Sequence, residues 1–179
     1  MKKIILLFSV LFLNLSNAQA LSVLKSSPNS PDSSYDIQFL DTMIAHHRQG
    51  IEMAELATKK SQNSNIKSKA HLMIERQQGE VAKMQSIRDG IAPNADVAVN
   101  MNLKGMKDAD LENLSSQISK NFDEEFLKRS IKHYEGGLTM SKDAAKRAKN
   151  ARVIEIAHVI SSSQSGEISE LKEILNDLF

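Results

Sequence analysis

The chain repeats itself once, and that repeat constrains its fold more than any other feature. Displaced by 87 positions, residues 35–87 align with residues 122–174 without a gap, and 16 of the 53 pairs are identical. The identities include Asp36/Asp123, Phe39/Phe126, Leu40/Leu127, Ile44/Ile131, His46/His133, Gly50/Gly137 and Met53/Met140. Later in each unit come His71/His158, Gln77/Gln164, Gly79/Gly166 and Glu80/Glu167. The chain therefore reads as a duplicated unit.

Each unit reads as two helices. Phe39, Met43, His46, Gly50, Met53 and Ala57 recur at spacings of four and three, which places them on one helix face. Leu40, Ile44, His47, Ile51 and Ala54 widen that stripe. The pattern breaks at Asn63 and restarts with Ile66, Ala70, Met73, Gln77, Glu80, Met84 and Ile87; the second unit does the same around Asn150. Asn121 followed by Glu124 predicts an N-cap with a capping-box partner, and Ser34 holds the equivalent place in the first unit. Helices of roughly 25 residues rise about 37 Å. Tight turns at Asn63 and Asn150 predict two αα-hairpins, which pack most simply as an antiparallel four-helix bundle. The units span 34–90 and 121–179 and form one bundle domain. Between them, 91–120 is a crossover linker with Pro93, Met101, Gly105, Met106 and a helix-like stretch over 108–118.

The start of the chain stands apart. Lys2 and Lys3, the apolar run from Ile4 to Leu15 and Ala18-Gln19-Ala20 predict a secretory signal peptide over 1–20. Ser- and Pro-rich residues 21–33 predict a mobile arm. No later stretch is long and apolar enough for a membrane span, so a periplasmic or secreted protein without a membrane anchor after signal cleavage is expected. The signal holds two lysines and no acids, which leaves 21 basic and 22 acidic side chains after cleavage. That balance argues against nucleic acid as a partner. With no cysteine, disulfides, thiolate nucleophiles and thiolate metal sites are excluded.

The informative residues are polar groups repeated on apolar stripes. His46 and His133 stand among aromatic and methionine neighbours, and Gln77, Glu80, Gln164 and Glu167 fall on the inner or boundary face of the partner helices. One reading is a buried hydrogen-bond network, with Gly50 and Gly137 letting helices approach closely. The other is a metal site. Met43-x-x-His46-His47 sets a thioether beside two imidazoles, a donor set that suits copper rather than Mg or Ca. Seven residues of helix rise about 10.5 Å, so His46 and Met53 would not share one ion. Exposure of the Met43–His47 patch would favour copper, and burial with satisfied hydrogen bonds would favour the network. Enzyme motifs are absent: there is no His-Glu-x-x-His, no Gly-x-Ser-x-Gly and no phosphate loop. Glu155-x-x-His158 matches a di-iron half-motif once, but its counterpart begins with Ser68.

Phe39-Leu-x-x-Met-Ile-x-His-His47, then Gly50-Ile-x-Met-Ala54 and Gln77-x-x-Glu80-x-x-x-Met84, resembles the bacterial domain of unknown function 305 family. The resemblance covers nearly all of the chain after the arm. It implies an exported, ferritin-like four-helix fold with two such units and a Met-containing linker. Some members bind copper through Met and His. The first unit keeps Met43, His46, His47, Met53, Glu80 and Met84, whereas the second has Ser130, Tyr134, Ser141 and Leu171 at matching positions and retains His133, Met140 and Glu167. The expectation is an all-α bundle that binds a copper ion without catalysis, for sequestration or delivery. Its ligands would be Met43, His46, His47 and Met53, with His133 and Met140 from the second unit. Gln77, Glu80, Gln164 and Glu167 would support them. The alternative is a metal-free helical module that binds an envelope protein.

Overall fold

The computed structural model describes residues 34–106, 111–116 and 119–179; the expected signal peptide and arm lie outside them. The described residues are all-helical, with five helices: α1 Tyr35–Lys60, α2 Ser64–Ile91, α3 Leu111–Ser116, α4 Ser119–Arg147 and α5 Ala151–Leu178. Helices α1 and α2 form one αα-hairpin, α4 and α5 the other, and the hairpins meet mainly through α1 against α4. None of these helices is long and apolar enough to cross a membrane.

The breaks in periodicity are caps. The Asn63 side chain accepts from the backbone N–H groups of Asn65 and Ile66, and that of Asn150 accepts from Arg152. Each satisfies donors that a helix start leaves without partners. Ser34 caps α1 through the N–H of Ile37. The parallel expectation at Asn121 does not hold: α4 begins by Ser119 and runs through it. Of the helix expected over 108–118, residues 111–116 are helical and the remainder lies outside the described residues.

The core is two clusters, and each draws on both units. One joins Phe39, Leu40, Ile44 and Met84 to Met140, Ala144, Val153 and Ala157. The other joins Phe126, Leu127, Ile131 and Leu171 to Met53, Ala57, Ile66 and Ala70. Every residue in the second set is the repeat equivalent of one in the first. The first half of α1 therefore packs on the last half of α4, and the reverse, so the units are antiparallel and related by an approximate two-fold axis. The axis passes near the helix centres, where the polar repeated residues lie.

The linker breaks this symmetry. Ala98, Val99, Leu103 and Met106 are buried, and the last two join the first cluster. Asp41 accepts from the N–H of Ala98 at 2.8 Å and pairs with Arg88 at 3.1 Å. Arg88 also donates to the carbonyls of Ala92, Ala95 and Asp96. Thr42 accepts from the N–H of Asn100, and Gln38 from its side chain. The segment is thus a strap bolted across one end of the bundle. Its last turn needs glycine: Gly105 has φ 100°, and a Cβ there would run into the carbonyl of Gly136 and lie 3.1 Å from the Met140 nitrogen. Gly105→Ala should destabilise the protein by about 2 kcal/mol or more, from left-handed strain plus overpacking. Urea unfolding of the two proteins measures this directly.

Candidate functional site

At the bundle centre, His46 from α1 and His133 from α4 stack with ring centroids 3.8 Å apart and planes 10° from parallel. Both are buried, as is His47. Burial holds both members of the stack in the neutral form: His46 is driven well below the usual histidine range, with the His133 and His47 rings adding to the effect. His133 falls to about 3, from burial first and His47 second. Neutral imidazoles keep a ring lone pair free.

The partner helices bring the repeated amides and carboxylates to this layer. His47 Nε2 lies 2.7 Å from Glu80 Oε2. Gln77 donates from Nε2 to the Tyr134 hydroxyl at 3.0 Å, and burial pushes that phenol well above its ordinary value. Tyr134 stands where the first unit has His47, so Glu167, the equivalent of Glu80, has no imidazole to meet. It is fully buried and instead pairs with Lys69 at 2.7 Å and with Arg76, both from α2. A buried carboxylate needs such partners. Two cations from the first unit thus take the place opposite Glu167 that an imidazole holds opposite Glu80.

Gly50 and Gly137 have a different role from the one expected. What approaches them is side chain, not a neighbouring helix backbone. A Cβ at Gly50 would lie 2.7 Å from His133 Nε2 and clash with the Gln77 amide; at Gly137 it would lie 2.6 Å from Gln164 Nε2. These glycines are the floor of the polar layer. The close backbone approach occurs instead at Gly136 and Gly105, and His46 Nε2 sits 3.5 Å from where a Gly136 Cβ would be. The adjacent pair Gly136-Gly137 was the sequence signal for that contact.

The six expected ligands separate. Met43 and Met140 share the first core cluster with Met84 and with Met106 of the strap, so one end of the bundle holds methionines from α1, α2, α4 and the strap. Met53 lies in the opposite cluster. His46, His47 and His133 lie between the two ends. The patch is buried, with Met43 at 0% and His46 at 1% exposure, yet its hydrogen bonds are only partly satisfied. His46 Nδ1, His47 Nδ1, Gln77 Oε1 and Gln164 Oε1 have no partner. Burial and the His47–Glu80 and Gln77–Tyr134 contacts favour a structural network, while the four unpartnered atoms leave acceptor or donor capacity within it. Among the described residues, no three His, Asp or Glu side chains form a metal-ligating group.

An all-helical chain of two αα-hairpins, carrying paired histidines on a methionine-lined face, defines a class of small bundle proteins. The chain belongs to the family described as Domain of unknown function (DUF305), whose model matches residues 36–175. No curated protein matches it. Among solved structures, a DUF305 fragment from Deinococcus radiodurans superimposes with a TM-score of 0.72 at 22% identity, covering 82% of this chain and 98% of that one. A DUF305 protein from Streptomyces coelicolor, described as secreted, gives 0.70 at 23% identity, covering 79% and 91%. CopM in its Cu(II)-bound form gives 0.70 at 25% identity, covering 80% and 97%. CopM has also been solved with Cu(I) and with Ag bound.

Proposed function

We propose that this protein binds a soft monovalent cation, Cu(I) or Ag(I), as cargo outside the cytoplasm, and that it sequesters or hands on the ion without catalysis. The observation that carries this reading is that Met43 and Met140, one from each unit, share a single core cluster with Met84 and Met106, while His46, one helical turn from Met43, keeps an unpaired Nδ1. Thioether and neutral imidazole are the donors that such ions prefer. CopM, similar in fold, binds copper and silver. The apolar start of the chain and a relative described as secreted support export. In this reading Met53 is core filler, because it sits at the far end, and unit two contributes Met140 and His133 without a site of its own.

A Cu(I) competition titration tests the proposal against a Met43→Leu/Met140→Leu variant, chosen because Met and Leu exchange keeps core volume. Tight binding in the wild type should weaken at least tenfold in the variant and stay unchanged in Met53→Leu. Equal binding in all three proteins, or none in the wild type, would return the histidines to a structural role. A protein partner would then be the better reading.

A further inference from the structure

The approximate two-fold axis gives every surface an internal control, and the seam between α2 and α5 fails that comparison. At one end the seam is shut by ion pairs: Lys69 with Glu167 and Glu170, and Arg76 with Glu167. At the other end the repeat-equivalent positions have lost or reversed these charges. Lys69 becomes Ile156, Arg76 becomes Ser163 and Glu170 becomes Lys83, while Asn65 becomes Arg152. No ion pair crosses α2 and α5 at that end among the described residues, and a cavity of ≈ 360 Å³ remains. Its apolar lining is Ile87, Ile156 and Val159, and its charged lining is Lys83, Arg152 and Glu155. Val159 is 45% exposed, a large apolar side chain facing solvent at the groove. Among the described residues neither cation has a carboxylate partner. The Arg152 guanidinium lies across the seam, its terminal nitrogen 3.3 Å from where a Gly90 Cβ would be.

We propose that this groove binds a medium-chain alkyl carboxylate. The three apolar side chains take the tail, and Lys83 and Arg152 take the head. Arginine presents paired N–H donors that match a carboxylate. With Glu155 counted, the lining carries one net positive charge, which suits a monoanion better than a dianionic phosphate. The volume stands near the lower end of small-molecule sites, roughly 300–1,000 Å³. That admits one tail and excludes a two-tailed lipid. The assignment is independent of the metal reading, since no proposed copper ligand lines the groove.

The test is a methyl-detected NMR titration of the purified protein with decanoate and, as a control of opposite charge and equal tail, decyltrimethylammonium. Decanoate should bind saturably below its micelle threshold and shift the methyls of Ile87, Ile156 and Val159. The cationic amphiphile should bind at least tenfold more weakly. Lys83→Ala/Arg152→Ala should weaken decanoate tenfold or more, and Glu155→Gln should strengthen it. Lys83, Arg152 and Glu155 are all exposed, and Lys83→Gln alone provides a milder variant should the double one lose helicity. Equal binding of both amphiphiles, no saturable binding, or no effect of these variants would overturn the assignment. So would capture of the protein by phosphatidylglycerol vesicles with no response to decanoate, which would make this face a membrane contact.

Discussion

Arg88→Met should lower the unfolding free energy by about 3–5 kcal/mol, the usual result of removing one member of a buried ion pair. Asp41 would keep only the Ala98 N–H as a partner, inside a site where its side chain is 4% exposed. Three strap carbonyls would lose their donor as well. The loss should be local first: amides over residues 92–106 should exchange with solvent well before the helices do. Adding Asp41→Asn should recover part of the stability, since the stranded charge is then gone. Urea unfolding and hydrogen exchange read both effects. A wild-type midpoint in Arg88→Met would mean that the strap is held by its apolar residues and the Asn100 contacts alone.

Mild acid should act on the imidazole stack. Both stacked histidines resist protonation in the folded state, His133 down to about 3, whereas an unfolded histidine titrates near 6.5. Between those values the unfolded chain binds protons that the folded chain refuses, so stability falls as pH falls and is unaffected by the pair above about 6.5. The limiting slope is about 1.4 kcal/mol per pH unit for each histidine. Unfolding free energies measured from pH 7.5 to 5 should therefore decline steeply, and His133→Gln should flatten the curve. A flat wild-type profile would show that the ring stack is hydrated and free to charge.

Much of the architecture was legible because the duplication let each helix be read twice. Asn63 and Asn150 interrupted the same apolar stripe, and both prove to be caps. Other features depend on partners that no local pattern reveals. Asp36 was conspicuous as an identical pair with Asp123, but its role is to accept from the backbone of Lys149 and Asn150 across the bundle. Lys69 gave no sign that it is buried; only the position of Glu167 on a neighbouring helix explains it. The polar, Pro-containing linker read as a plain connection because Ala98, Val99, Leu103 and Met106 follow neither a helical nor a strand period. The ligand set divided for a related reason. Met43 and Met53 share a helix face, but α1 runs past α4 in the opposite direction, so Met43 falls in the cluster of Met140 and Met53 in the other.

The interleaved cores also bear on ancestry. Among the described residues neither hairpin encloses an apolar cluster by itself, so a single copy of the unit would need a symmetric homodimer to bury its faces. In such a dimer each substitution appears twice, and the axis forbids Met43 on one side with Ser130 on the other. Joining the copies in one chain removed that restriction. One half can then hold His47 while its twin holds Tyr134 and a lysine-held glutamate, with both still supplying a histidine to the shared centre.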